Sequence, residues 1–579
     1  MDLDKYRRAC GKLMLVFLWV VAISEGVNQL TYSANSSLSE MVDAGGAGAA
    51  FALLMVMLRS VAILFSIAGV FAIITVVIGL MRKQVTKASA VPYLMLAALL
   101  GWAAVSLFHS YDLNTSFFGQ DGRDEGWMAL LIYASLFYLG TMLRRRGDRE
   151  YFLRGILNFG IVQGVWGFLQ ALPIFDYIDP SKGLNAYRNI DAMLYWNVRL
   201  PAGLTDSPVT YAMLLAMLAA VSIPAAFLAE EKSTRIRAVF CGGLAVLMSF
   251  RTQTIAGLIA GCGAVLLTVI LLAVYKKQIR GKAFVLPLTV VLAAVCAVGW
   301  SYAAPGMNNM YYHPDKTTTK QPDPGLSMSA READVADIVL PNGLKIRDRD
   351  GEMHSALYDG GIVWDDGFFR LGTAGTYTRQ TADSFNIYDA VSVLRYCREQ
   401  GFKAIKIDPL LGVGPDNFYF TQLRTSMTIG ANSNAVDRPY NDWIYIAATR
   451  GIPSLLLHIA LLAVCFVLAW KRRGSLKGWT LPAAGGAVLL YTAASMTGIS
   501  VLTVTPMFWC LLGMLAAEPI VEPVKAVAAK SEKKGAAAAK QEKTAEPEKQ
   551  AVEQPVKKQD PASKAPASAK KKSGKKKKK

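Results

Sequence analysis

The stretch DRPYNDWIYIAATRGIPSLLLHIALL, residues 437–462, changes character at its centre: polar and aromatic up to Arg450, it is dominated by aliphatic side chains from Gly451 onward. The apolar part continues to residue 470, which matches the ~20 residues an α-helix needs to cross ~30 Å of hydrocarbon. Residue 451 therefore reads as a membrane boundary. Working outward from it, comparable runs recur at 479–497 and 500–517 on one side. On the other side they fall at 12–28, 60–81, 90–109, 127–143, 152–173, 208–229, 236–250, 253–275 and 283–303, which predicts twelve spans. A chain that is 53% apolar, with mean hydropathy +0.30 and 18% charged residues, is too hydrophobic for a soluble enzyme. The expected fold is an all-α polytopic membrane protein with about 12 transmembrane helices and a long external loop domain of mixed structure between helices 9 and 10.

Orientation follows from the positive-inside rule. With the N-terminus inside, six short loops face the cytoplasm (MDLDKYRRACGK, RKQVTK, RRRGDRE, EEKSTRIR, KKQIRGK and KRRGSLK) and together carry 22 basic residues. The external basic residues are few, among them Arg123, Lys182, Arg188, Arg199 and Arg251. Both termini are expected in the cytoplasm. The domains are then a membrane part at 1–303, an extracytoplasmic loop at 304–450, a second membrane part at 451–517 and a tail at 518–579. KYRRACGK before the first apolar run, with Ala22-Ile23-Ser24 behind it, resembles a cleavable signal; the alternation of the remaining loops fits an uncleaved anchor better. Residues 44–58 form an extra apolar segment, readable as an interfacial helix or as the outer half of an overlong second span.

The formal charge of +19 does not point to nucleic acid, because residues 521–579 hold 18 lysines against 7 acids in an Ala/Lys/Pro/Glu low-complexity sequence without an aromatic residue. That tail reads as solvated and disordered, or as a contact for anionic lipid or a cytoplasmic partner. Of the seven cysteines, six lie in or beside apolar runs and Cys397 stands alone in the loop, so neither a disulfide framework nor a metal-ligand set follows.

Within the loop a helix is expected at 386–400, capped by Ser384 or Asn386 and closed by Gly401. Then Pro409, Gly412, Gly414 and Pro415 impose a tight turn before Asp416, which reads as the cap of a following helix. Acids are nearly missing from the spans, Glu25 being the main exception, which weakens a proton-coupled transporter. The external arginines run against the charge bias. Arg123 in FFGQDGRDEG, Arg199 in NVRLPAGLTDSP and Arg251 in SFRTQTIAG read either as snorkelling residues or as forks for a shared anion such as a lipid diphosphate.

DPLLGVGPDNF (408–418) followed by DRPYNDWIYIAATRGIPSLLLHIALL resembles the signature of the bacterial O-antigen ligase and polysaccharide polymerase superfamily. The Arg123, Arg199 and Arg251 segments fall where that family places its short motifs, so the resemblance covers about residues 60–517. It implies a GT-C-like membrane glycosyltransferase of the cytoplasmic membrane, free of metal and cofactor. Such an enzyme passes a glycan from undecaprenyl diphosphate to an acceptor hydroxyl on the outer face. Arg199 and Arg251 would clamp the diphosphate, Arg123 and Arg438 would assist, and Tyr440, Asn441 and Asp442 would orient the acceptor. Gly412, Gly414, Pro415 and Asp416 would shape the loop. The family usually reads His-Asn where this chain has Tyr440-Asn441. Three readings of that departure stand side by side: Tyr440 substitutes, Asp437 or Asp442 takes the proton, or the chain is inactive and serves as a scaffold. A polyprenyl-glycan flippase is the alternative from another class, and Tyr440 beside Trp443 and Tyr445 also reads as part of an aromatic belt.

Overall fold

The computed structural model describes residues 3–31, 46–84, 90–120, 123–171, 201–252, 254–275, 387–418, 420–421, 438–475 and 478–520, with short strands between 317 and 380. By contacts the chain divides into two compact units, residues 1–520 and 521–579. The second unit, with the proposed tail, lies outside the described residues, as do Arg199, Asp437 and the expected span 283–303.

The first unit is a helical bundle. In chain order its helices are α1 (Leu3–Thr31), α2 (Gly46–Arg59), α3 (Val61–Met81), α4 (Ala90–Phe108), α5 (Leu113–Phe118), α6 (Trp127–Thr141) and α7 (Arg146–Ala171). There follow α8 (Pro208–Leu228), α9 (Lys232–Arg251), α10 (Ile255–Val274), α11 (Ile387–Ile407), α12 (Asp442–Lys471), α13 (Thr480–Ala494) and α14 (Thr505–Ala516). Among the described residues, eight helices are long and apolar enough to cross a membrane: α1, α3, α4, α7, α8, α9, α10 and α12. The chain is thus a polytopic membrane protein by length and composition of its helices. α8 is the axis, buried from Pro208 to Ala226 and packed against α9, α10 and α13. Its start is set by a capping box of Ser207 and Thr210 with Pro208 at the first helical position. At the periphery Phe71, Leu94, Phe108 and Leu266 are exposed, as lipid-facing side chains are.

Three expected spans are shorter than drawn. α6 has 15 residues, α13 has 15 and α14 has 12, which at ~1.5 Å per residue falls short of the hydrocarbon thickness. The remainder of the last two expected spans is a 3-10 turn at Ser495–Thr497 and irregular backbone up to Val504. Such backbone is tolerated at membrane depth where it is buried in protein. α14 crosses α6 at two glycines: a Cβ on Gly140 would meet the Cys510 carbonyl, and one on Gly513 would meet the Phe137 carbonyl. Bulkier residues would force the helices apart.

The loop region contains a five-stranded antiparallel sheet. Its strands are β1 (Thr317–Thr318), β4 (Ala356–Tyr358), β5 (Gly361–Trp364), β6 (Gly367–Leu371) and β7 (Tyr377–Gln380), in the order β1-β7-β6-β5-β4. Ile362 faces Phe369 and Phe369 faces Arg379 in register. β2 (Ile338–Val339) pairs with β3 (Lys345–Ile346). The helix expected to close at Gly401 instead continues as α11 to Ile407, because Leu394, Cys397 and Ala404 keep one face buried beyond the glycine.

The bundle has two chemically distinct ends. One gathers the basic loops: Arg144 pairs with Glu518 at 2.9 Å, Arg145 with Asp4 at 2.7 Å, Arg146 with Glu230 at 2.7 Å and Arg154 with Glu231 at 2.8 Å. The other holds the ends of α1, α7 and α9, the starts of α6, α8 and α12, and the α13–α14 connection. The candidate site lies there.

Candidate active site at the polar end

α12 is interrupted. Gly451 has φ 79° and ψ 163°, and Pro453 follows. In an unbroken helix the carbonyls of Ala448 and Thr449 would accept from residues 452 and 453. Pro453 has no N–H, and Ile452 donates to the Pro409 carbonyl at 2.9 Å instead. The orphaned carbonyls are taken over by the 408–418 turn: Val413 donates to Ala448 at 3.0 Å and Gly414 to Thr449 at 2.9 Å. The Ser106 hydroxyl adds a bond to Thr449 at 3.1 Å. The 408–418 turn and the broken start of α12 are therefore halves of one joint. Gly412 is indispensable to it, since at φ 72° its Cβ would run into the backbone of Thr449, Arg450 and Gly451. At the turn's start the Asp408 carboxylate accepts from Leu410 and Leu411 and touches His109 at 3.0 Å.

Asp416 is not a helix cap. It has φ 55°, and its buried carboxylate joins three segments: it accepts from the Gln120 N–H at 2.7 Å, the Tyr445 hydroxyl at 2.5 Å and Arg123 Nε at 3.3 Å. Arg123 also bonds the Gln120 side chain. Asn417 reaches the Asp112 carbonyl at 3.1 Å and the Ser116 hydroxyl. The Asp112 carboxyl accepts from the Thr115 N–H at 2.8 Å, and hydrogen bonding to Thr115 holds its pKa below the usual range.

Asn441 caps α12, accepting from Trp443 and Ile444 at 3.1 Å, and its amide donates to the Met496 carbonyl at 3.0 Å. Arg398 of α11 donates to the same carbonyl at 2.9 Å. Tyr440 is only 1% exposed and sits at φ 45°, a left-handed conformation that costs a non-glycine residue about 1–3 kcal/mol. It is a side chain inside the protein, not a member of a surface belt.

Carboxyls from outside the expected spans gather at this end. Glu125 accepts from the Tyr133 hydroxyl at 2.7 Å and the Ser500 hydroxyl at 2.6 Å. Burial raises its pKa to about 7, aided by Asp442 and Asp416 and opposed by those two hydrogen bonds. Burial raises the pKa of Asp442, with Arg450 and Ser500 opposing the shift. Asp206, just ahead of α8, accepts from Thr503 at 3.1 Å. Burial raises its pKa, and Arg438, its nearby cation, opposes the shift. Glutamines lock the loop that carries Asp206: Gln170 accepts from Ala202 and Gly203, Gln163 from Leu204, and Gln29 donates to the Gly203 and Thr205 carbonyls. Gln29 also donates to Glu25 at 3.3 Å.

Of the arginines named from sequence, Arg123 is engaged by Asp416, Arg438 faces Asp206, and Arg251 ends α9 at 6% exposure. Sequence reasoning passed over Glu125, Asp206, Tyr445, Ser500 and Arg450. The signal for Arg450 was its place directly before Gly-Ile-Pro inside an apolar context; Glu125 and Asp206 lay inside motifs read only for their arginines. The chain matches no protein-family model and no curated protein.

Proposed function

We propose that the protein is a glycosyltransferase of the cytoplasmic membrane that moves or polymerises a glycan from undecaprenyl diphosphate onto an acceptor hydroxyl at the outer face. It is an O-antigen ligase-like activity in cell-surface polysaccharide biosynthesis, working without metal or cofactor. In this reading the chain has twelve spans in a GT-C-like arrangement, both termini and the 22 basic loop residues inside, and the polar end outside. The observation that carries it is the joint between the 408–418 turn and the broken α12. It brings cationic and carboxyl side chains, Arg123, Arg450, Asp416 and Asp442, to one end of the bundle, opposite the basic loops. A lipid diphosphate is a good leaving group, so positioning of two substrates and stabilisation of growing negative charge suffice. Arg199, Arg251 and Arg438 bind the diphosphate; Asp442 and Glu125 are the carboxyls available to take the acceptor proton in place of the missing histidine.

Deleting the gene tests this. Single repeat units accumulating on the carrier indicate a polymerase, full-length chains left on it a ligase, and unchanged surface polysaccharide overturns the proposal. Arg251→Ala is expected to abolish transfer with membrane insertion intact. The buried carboxyl of Glu25 and the half-buried ones of Asp206 and Glu125 favour a second reading, a carrier for a polyprenyl-linked glycan. Reconstituted protein given substrate on the outside only separates the two, since an enzyme lengthens or transfers the glycan and a carrier merely moves it.

A further inference from the structure

Arg450 is the last residue before the break in α12 and is 8% exposed. Among the described residues its guanidinium makes no hydrogen bond and no ion pair within 4 Å, although five donors are available to it. Its charged and polar neighbours are Asp442, Tyr445, Glu125 and Tyr133. Asp442 keeps Oδ1 buried without a hydrogen bond. A buried cation with open donors costs several kcal/mol unless something compensates it.

Helix capping does not account for Arg450. A basic side chain at a helix C-terminus ordinarily serves the last carbonyls, but those of Ala448 and Thr449 are already bonded by Val413, Gly414 and Ser106. Nor is Arg450 part of the ion pair that ties the segments together, which belongs to Arg123 and Asp416. What remains is a planar fork, matched to paired phosphate oxygens. It lies at a discontinuity in a membrane helix, the kind of place where broken helices hold ligands.

We propose that Arg450 is a diphosphate-binding residue, gripping phosphoryl oxygens at the break of α12, with Asp442 Oδ1 at the same end of the bundle to accept a hydroxyl of the second substrate. This rests on the reading of a diphosphate-linked substrate. Asp442 and Glu125 balance the guanidinium when no anion is bound, and the paired phosphates replace them as its main partner when one is.

The test uses the full chain purified in detergent, with inorganic pyrophosphate and dodecyl diphosphate as probes in calorimetric titration. Wild type is expected to bind, and Arg450→Gln to raise Kd at least about tenfold, as loss of a charge-assisted bidentate contact does. Equal affinity in the variant, or no binding of either probe by wild type, overturns the proposal. Should Arg450→Gln fail to fold, phenylglyoxal labelling of wild type read by mass spectrometry decides: pyrophosphate protects Arg450 if the proposal holds, and leaves it as reactive as before if it does not. Pyrophosphate binding without dodecyl diphosphate binding keeps the Arg450 site but assigns it to a free diphosphate. That outcome sinks the lipid-linked substrate and leaves the site standing. Unchanged surface polysaccharide in the deletion strain sinks the transferase reading without touching the Arg450 result.

Discussion

Arginine–carboxylate pairs stand at both ends of the bundle, several at the basic end and Arg123–Asp416 at the polar end, yet they do different work. At the basic end Arg146 and Glu230 lie 2.7 Å apart with their side chains 47% and 81% exposed. At the polar end Arg123 and Asp416 lie 3.3 Å apart and are 6% and 0% exposed. Water competes for the first pair and is excluded from the second. The basic end therefore keeps a solvated charge surplus, suited to orienting the chain in a membrane, while the polar end uses charge as an internal tie between distant segments. Short distance alone does not rank the contacts, because water screens the closer pair.

That contrast is open to attack at several points. The largest effect is expected at the joint. Gly412→Val combines a strained φ with a clash against the α12 backbone, and should cost about 3 kcal/mol or more, with loss of folded protein in size-exclusion profiles. Next, Asp416→Ala leaves Arg123 buried without its carboxylate. The expected loss is about 3–5 kcal/mol in denaturant unfolding, and an unchanged midpoint would show that the tie carries no stability.

The third concerns pH. Glu125 has its folded pKa raised from 4.5 to about 7, so the folded state holds the extra proton between those values. Its contribution to stability is full below about pH 4.5 and is lost as pH rises through about 7. Melting curves of wild type should therefore lose up to about 3 kcal/mol from this group across that window, and Glu125→Gln should flatten that part of the profile. The smallest effect belongs to the basic end, where Arg146→Ala should change stability by no more than about 1 kcal/mol and little further in high salt.

Several parts of the structure were legible in advance. Most of the apolar runs appear as helices where the residues are described, the turn at 408–418 is a turn, and Gly412 and Gly414, expected to shape it, adopt positive φ. The helix start at Asn441 and the role of Asp416 were not legible. Residues 442–450 were assigned to the loop because they are polar, but their polar side chains face Ser500, Glu125 and Asp416 and so need no water. Likewise 495–504 read as span because it is apolar, while its backbone is irregular and brings Ser500 and Thr503 to the site.

By itself the sequence determined which segments enter the membrane, since hydrophobic length is a local property that one helix satisfies alone. It also determined where the backbone must bend, because glycine and proline act on their own φ and N–H. Only the tertiary structure decided which charges share the polar end. Glu125, Asp206, Asp416, Arg123 and Arg450 come from segments up to 327 residues apart. Their pairing depends on which helices exclude water from them, a property that no stretch of the chain possesses before it packs.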